Sequence, residues 1–142
     1  MQNLLELYQA VILDHNRNPR NFRSLPAANA QGRGENPACG DQYEVFLRIE
    51  KDTLAEVAFQ GSGCAISRAS ASVLTTELTG QTKAGAKESI KAFLAVIETG
   101  EVLESLPVAM AAFSGIHKFP ARRKCAMLAW KAAMQALEEA NR

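Results

Sequence analysis

A chain of 142 residues, 47% of them hydrophobic and 22% charged, has the make-up of one ordinary globular domain, which excludes a disordered tail or a repeat array. Its 16 Lys plus Arg nearly balance 15 Asp plus Glu, so a net charge of +1 offers no global field for nucleic acid or an anionic membrane. No apolar run reaches the roughly 18 residues that span a bilayer, and the opening MQNLLELYQAVIL lacks the basic start and small-residue cleavage site of an export signal, so a cytoplasmic protein is expected.

In chain order, Leu4, Leu5, Tyr8, Val11 and Ile12 recur at helical spacing, and the stripe predicts a first helix over Leu4 to His15. NRNPRNFRSLPAANAQGRG, residues 16–34, breaks that pattern with two prolines and two glycines and reads as an irregular arm over the domain. Tyr43, Val45, Leu47 and Ile49 then alternate with their neighbours, and a second alternating run covers Leu54 to Gln60. The short link Lys51 to Thr53 makes these a hairpin. Two strands are not a stable sheet, so a third is expected from the arm, around Phe22 to Ala28.

Beyond the hairpin the periodicity turns helical. Helices are predicted from Cys64 or Ala65 to Leu78, from Ala84 to Glu98 ended by Gly100, and from Pro120 to Ala140, with a short one within Leu106 to Phe113 before the loop SGIHKF. Strands followed by helices give an α+β class: a small three-stranded antiparallel sheet with helices packed on one face, in a single domain over residues 1–142.

Three cysteines are an odd number in a chain without an export signal, which argues for free thiols over a disulfide framework. Each, taken alone, also suits a small buried apolar position. Their surroundings point further. Cys39 stands in NPACGD, residues 36–41, a turn whose extended tip brings Cys39 and Asp41 to one side; an Asx turn made by Asp41 would need the same residues. Cys64 follows Gly61, Ser62 and Gly63 at a strand-to-helix junction, where the helix N-terminus favours thiolate. Cys125 follows Arg122, Arg123 and Lys124 in the first turns of the last helix, a basic triplet that is either a solvated face or a counter-charge to the thiol.

Together Cys39, Asp41, Cys64 and Cys125 supply the four donors a tetrahedral zinc or an iron–sulfur cluster takes. The hard carboxylate among thiolates suggests a site built to open, and its excess negative charge could be offset by the RRK run. There are no paired CxxC motifs of the zinc-ribbon kind.

The segments ILDHNRNPRNF, NPACGD, GSGCAISRASAS and RRKCAMLAW occur in the order found in the U-type iron–sulfur cluster assembly proteins (the IscU, SufU and NifU N-terminal family), and the resemblance runs through almost the whole chain. It implies a compact α+β domain with a zinc or cluster site at one end. It assigns Cys39, Asp41, Cys64 and Cys125 as ligands, and a pyridoxal-phosphate cysteine desulfurase as the partner that delivers persulfide sulfur. Lys124 where the IscU branch usually has His, FPARRK where that branch has LPPVK, the longer span from Cys64 to Cys125, and LAW after the last cysteine all resemble the SufU branch.

In that branch the implied function is zinc-dependent sulfur transfer from a SufS-like desulfurase. Cys39 is then the expected sulfur acceptor and Cys125 the alternative, in a protein that acts with the desulfurase rather than as an independent enzyme. The alternatives are an IscU-like scaffold that builds a transient [2Fe-2S] cluster for downstream assembly proteins or apo-proteins, and a structural zinc module without sulfur chemistry. His15 and His117 are expected outside the ligand set, and Leu128, Trp130 and Leu137 in the core. Ser67, Ser70 and Ser72 have no GxSxG elbow and do not read as a hydrolase site.

Overall fold

The computed structural model describes residues 2–140, with side chains from Leu5 to Ala140; the side chain of Leu4, part of the first predicted stripe, and all of Met1, Asn141 and Arg142 lie outside the described residues. Helix α1 (Gln2–Arg17) lays Tyr8, Val11 and Ile12 against the core, while Leu5 is exposed. Three antiparallel strands follow in the order β1 (Ala30–Asn36), β2 (Asp41–Glu50) and β3 (Thr53–Ser62). The hairpin between β2 and β3 closes through Lys51 and Asp52, both at positive φ, the two-residue turn that matches strand twist.

The third strand is not where the arm was expected to supply it. Phe22 makes a single isolated bridge to Phe59, and the paired strand is Ala30–Asn36, in the register Gly32 to Val45 and Gly34 to Tyr43. Alternation could not reveal it because its central helix-facing positions, Gly32 and Gly34, are glycines. A β-carbon on Gly32 would stand 1.8 Å from the Ala132 carbonyl oxygen, and one on Gly34 would come within 3.0 Å of the Leu128 side chain. The backbone of β1 is therefore pressed directly onto the last helix, and close approach replaces the apolar side chains that periodicity looks for.

Helix α2 (Ala65–Leu78), α3 (Lys83–Thr99), the short α4 (Val108–Ala111), a 3-10 turn over Ser114–Lys118 and α5 (Pro120–Ala140) complete the chain. α5 crosses β1 and β2, α2 and α3 pack on α5, and α1 rests on α2. The helices cover one face of the sheet; on the other, Arg48 pairs with Glu50 and Glu56, and Arg33 with Glu35. This is the predicted α+β arrangement. Trp130 and Leu137 are fully buried, with Trp130 stacked on Phe93 at 4.0 Å and donating its indole N–H to Ser70 Oγ; Leu128 is only half-buried. Among the described residues, no helix is long and apolar enough to cross a membrane.

His15 is buried, with its Nδ1 2.7 Å from Ser72 Oγ, which also accepts the Arg20 backbone N–H at 2.8 Å. It fastens α1 and the start of the arm to α2 and lies outside the cysteine cluster. Burial holds its pKa below the ordinary value, with the Arg20 charge adding to the effect. Unfolded His15 thus takes up a proton at a higher pH than the native residue does, so the unfolded state binds more protons below about pH 6.5. Stability should fall as pH drops from 7 toward 5, and the thermal midpoint of a His15→Gln variant should fall less over that range, as calorimetry would measure. His117 contacts the Glu98 carbonyl, again away from the cysteines.

Candidate metal centre

Three elements bring the four predicted donors to one end of the molecule. NPACGD is the hairpin loop between β1 and β2, since Asn36 pairs with Asp41 across the ladder and the Asn36 carbonyl accepts the backbone N–H of Cys39 and Gly40. The loop lifts Cys39 into solvent, while Asp41, the first residue of β2, is only 2% exposed. Cys64 caps the N-terminus of α2, its sulfur accepting the Ser67 N–H at 3.5 Å. Cys125 lies in the second turn of α5 and is 3% exposed.

Donor atoms of Cys39, Asp41 and Cys125 all lie within 4.8 Å of one another, and Cys64 Sγ joins them 3.9 Å from Asp41 Oδ2. Cys39 Sγ is 3.6 Å from Cys125 Sγ, yet all three thiols are free. Zinc bonds of about 2.3 Å to sulfur and about 2.0 Å to oxygen put tetrahedral donors about 3.5–3.8 Å apart. The 3.6 and 3.9 Å separations are close to that spacing; Cys39, Asp41 and Cys125 form the compact group, and Cys64, outside that grouping, would have to draw in to complete a tetrahedral ion.

Asp41 is held by more than its strand. Its Oδ1 accepts the Cys64 backbone N–H at 3.0 Å, which leaves Oδ2 to face the sulfurs. A β-carbon on residue 63 would stand 2.5 Å from both Asp41 Oδ1 and Ser67 Oγ, so Gly63 is the only residue that lets this carboxylate reach the helix start. Asp41 therefore makes a specific contact across the sheet, not the local Asx turn that the sequence also allowed.

The two inner thiols differ. Burial raises the Cys64 thiol, but its hydrogen bonding with the Ser67 backbone N–H and hydroxyl outweighs that effect, and the net displacement is downward. Burial pushes the Cys125 thiol up, and contacts with Asp41, Cys39 and Cys64 add to the rise, as expected where acceptors crowd around a proton. Behind Cys64, the buried Tyr43 hydroxyl lies 3.1 Å from Ser67 Oγ, which donates to the Cys64 carbonyl at 3.0 Å. Sequence reasoning missed Tyr43 and Ser67 as supports of the site. The available signal was Ser67 three residues after the helix cap, the spacing at which an N–H reaches a capping atom.

The basic triplet divides. Lys124 lines a cavity of about 260 Å³ with Cys39, Asn36, Ala38, Pro120 and Ala121 and also borders the adjoining hollow, which it shares with Arg123, Glu98, Met127 and Pro120 and which no cysteine lines. Arg122 is exposed and lines neither. Only part of the RRK run is thus placed to act on the cluster.

Comparison with known proteins gives the same architecture. The profile of the NifU-like N terminal domain matches residues 7–141. The zinc-dependent sulfurtransferase SufU of Bacillus subtilis is 38% identical over 131 residues, 92% of this chain and 88% of that protein. The iron-sulfur cluster assembly scaffold protein IscU of Streptococcus pyogenes is 32% identical over 97% of this chain and 87% of its own. A crystal structure of a candidate SUF-system cluster assembly scaffold from Fervidobacterium islandicum superposes with a TM-score of 0.85 at 30% identity, covering 93% of this chain and 97% of the other. Matched in sequence from its first helix to its last and in fold across nearly its whole length, this protein belongs to the family of the NifU-like N terminal domain.

Proposed function

We propose that this protein is an iron–sulfur cluster assembly protein of the SufU kind, which holds zinc or a labile [2Fe-2S] cluster through Cys39, Asp41, Cys64 and Cys125 and accepts persulfide sulfur from a cysteine desulfurase. The observation that carries this reading is the asymmetry of the donor set: Cys125 and Asp41 are buried, Cys64 is half-buried, and Cys39 stands exposed on a hairpin loop. Bound zinc would keep the thiols deprotonated, and it is the residues of the chain that decide which of them meets a donor. A structural zinc module would have no use for one ligand left open to solvent beside a cavity.

The transfer itself is an exchange without net redox change. The Cys39 thiolate attacks the outer sulfur of the donor persulfide, that sulfur's bond to the donor cysteine breaks, and the donor leaves as a thiolate while Cys39 carries the new persulfide. Cys64 and Asp41, tied together through the Cys64 N–H, keep the rest of the site in place meanwhile. Cys125 is the alternative acceptor, though burial and a raised pKa both work against it. The partner is a cysteine desulfurase of the SufS type, with downstream cluster-assembly proteins or apo-protein acceptors receiving the sulfur, in the cytoplasm.

Incubating the zinc-loaded protein with a SufS-type desulfurase and cysteine should add one sulfur atom in mass to the peptide that contains Cys39, and Cys39→Ser should abolish that gain. A sulfur found only on Cys125, or none while zinc stays bound, would refute the assignment. The scaffold alternative is separated by reconstitution with iron and sulfide without oxygen. A transferable visible chromophore, with no zinc-dependent stimulation of desulfurase turnover, would favour it over sulfur transfer.

A further inference from the structure

Cys39 is approached from solvent through the cavity it shares with Asn36 and Ala38 of the hairpin loop and Pro120, Ala121 and Lys124 of α5. Five of these six lining residues are uncharged at neutral pH except for any thiolate on Cys39 itself, and Lys124 supplies the single fixed charge. Its side chain is exposed and makes no ion pair or hydrogen bond among the described residues, although acidic partners occupy several other basic groups of the protein. A lysine without an ion-pair or hydrogen-bond partner among the described residues thus shares a cavity with the exposed member of the cysteine–carboxylate cluster, and also borders the hollow that Glu98 lines.

We propose that Lys124 is the anion-receiving group of this entry cavity, pairing with a persulfide as its outer sulfur is brought to Cys39 and with the persulfide then formed on Cys39. The inference rests on the reading of Cys39 as acceptor. Its physical basis is charge. A persulfide is anionic near neutral pH and the cysteine–carboxylate cluster is anionic as well, so their approach is repulsive unless a cation stands between them. The ammonium compensates one charge without entering the bond changes: the donor S–S bond breaks, the Cys39–sulfur bond forms, and the electron pair leaves on the donor thiolate. Arg123 lines the neighbouring hollow, which Lys124 and Glu98 also border, but not the cavity that holds Cys39, and is not placed to substitute.

Two measurements test this. In the first, the zinc-loaded protein is alkylated with iodoacetate, an anion, or iodoacetamide, its neutral counterpart, and the rate at Cys39 is followed by peptide mass. The ratio of anionic to neutral rate cancels changes in thiol reactivity and accessibility. Losing one unit charge several ångströms away should lower this ratio about three- to ten-fold in Lys124→Met, and Lys124→Arg should restore it. In the second, sulfur uptake is followed with desulfurase and cysteine; Lys124→Met should slow the mass gain on Cys39 by a similar factor, with Lys124→Arg near the unsubstituted protein.

An unchanged rate ratio in Lys124→Met, or equal losses in the Met and Arg variants, overturns the role of Lys124. If the unsubstituted protein takes up no sulfur while the charge-dependent ratio holds, it is the acceptor assignment of Cys39 that fails, and the cavity remains a receiver for anions of another kind.

Discussion

Replacing Gly32 with alanine is expected to destabilise the protein by about 3 kcal/mol or more, the upper range for overpacking a closely fitted interior. The added methyl would sit 1.8 Å from the Ala132 carbonyl oxygen and 2.7 Å from its carbon, and both are backbone atoms of α5 that no rotamer change can move. Relief requires β1 and α5 to separate, which opens the contact between the edge strand and the helix that carries Cys125. Gly34→Ala is the internal comparison. There the nearest atoms, at 3.0 to 3.2 Å, include the flexible Leu128 side chain, and a cost of about 1 kcal/mol is expected. Urea denaturation of the two variants should show a much lower midpoint for Gly32→Ala; equal midpoints would mean that β1 is not locked to α5 as described.

Asp41→Ala should weaken zinc binding by at least about 100-fold, since even loss of a residue that only supports a ligand costs 10–100-fold. Here one substitution removes a donor oxygen, orphans the Cys64 backbone N–H and leaves a gap beside Gly63. Asp41→Asn separates these effects. An amide oxygen can still accept the Cys64 N–H and keep the site in shape, but it is neutral and a poor zinc ligand, so zinc should still be lost while the fold and the position of Cys64 persist. Chelator competition measures the affinity, and exchange of the Cys64 amide proton reports the hydrogen bond. Zinc affinity unchanged in both variants would remove Asp41 from the ligand set.

How much of this could be read beforehand differs by element. The β2–β3 hairpin was legible because β2 buries one face in strict alternation and a short polar link joins it to a second apolar run, and Pro120–Ala140 because proline marks its start. β1 was placed too early because its central inward positions, Gly32 and Gly34, hold no side chains, which hydrophobic patterning cannot register. The four donors were legible as a set from their residue types and from the resemblance to the U-type family, and the structure brings their side chains to one end. Their inequality was legible only in part. The helix start already favoured thiolate at Cys64, three residues from Ser67, but the burial of Cys125 against Cys39 and the clasp of Asp41 by the Cys64 amide depend on contacts between residues 23 or more positions apart. The sequence also hid what occupies the histidines: His15 is spent on Ser72, and His117 lies against the Glu98 carbonyl.

The docking of α5 across β1 also orders events in time. Cys39 and Cys64 come from elements that can pair as soon as the hairpins form, but Cys125 is carried by the last helix, and its place depends on an interface between segments about a hundred residues apart. Such distant contacts form late in folding. During synthesis, therefore, two of the three thiols emerge with no complete site to receive them. A metal ion captured early would be held by at most a partial set, easily surrendered, and tight retention would begin only when the final helix settles on the glycines of the edge strand.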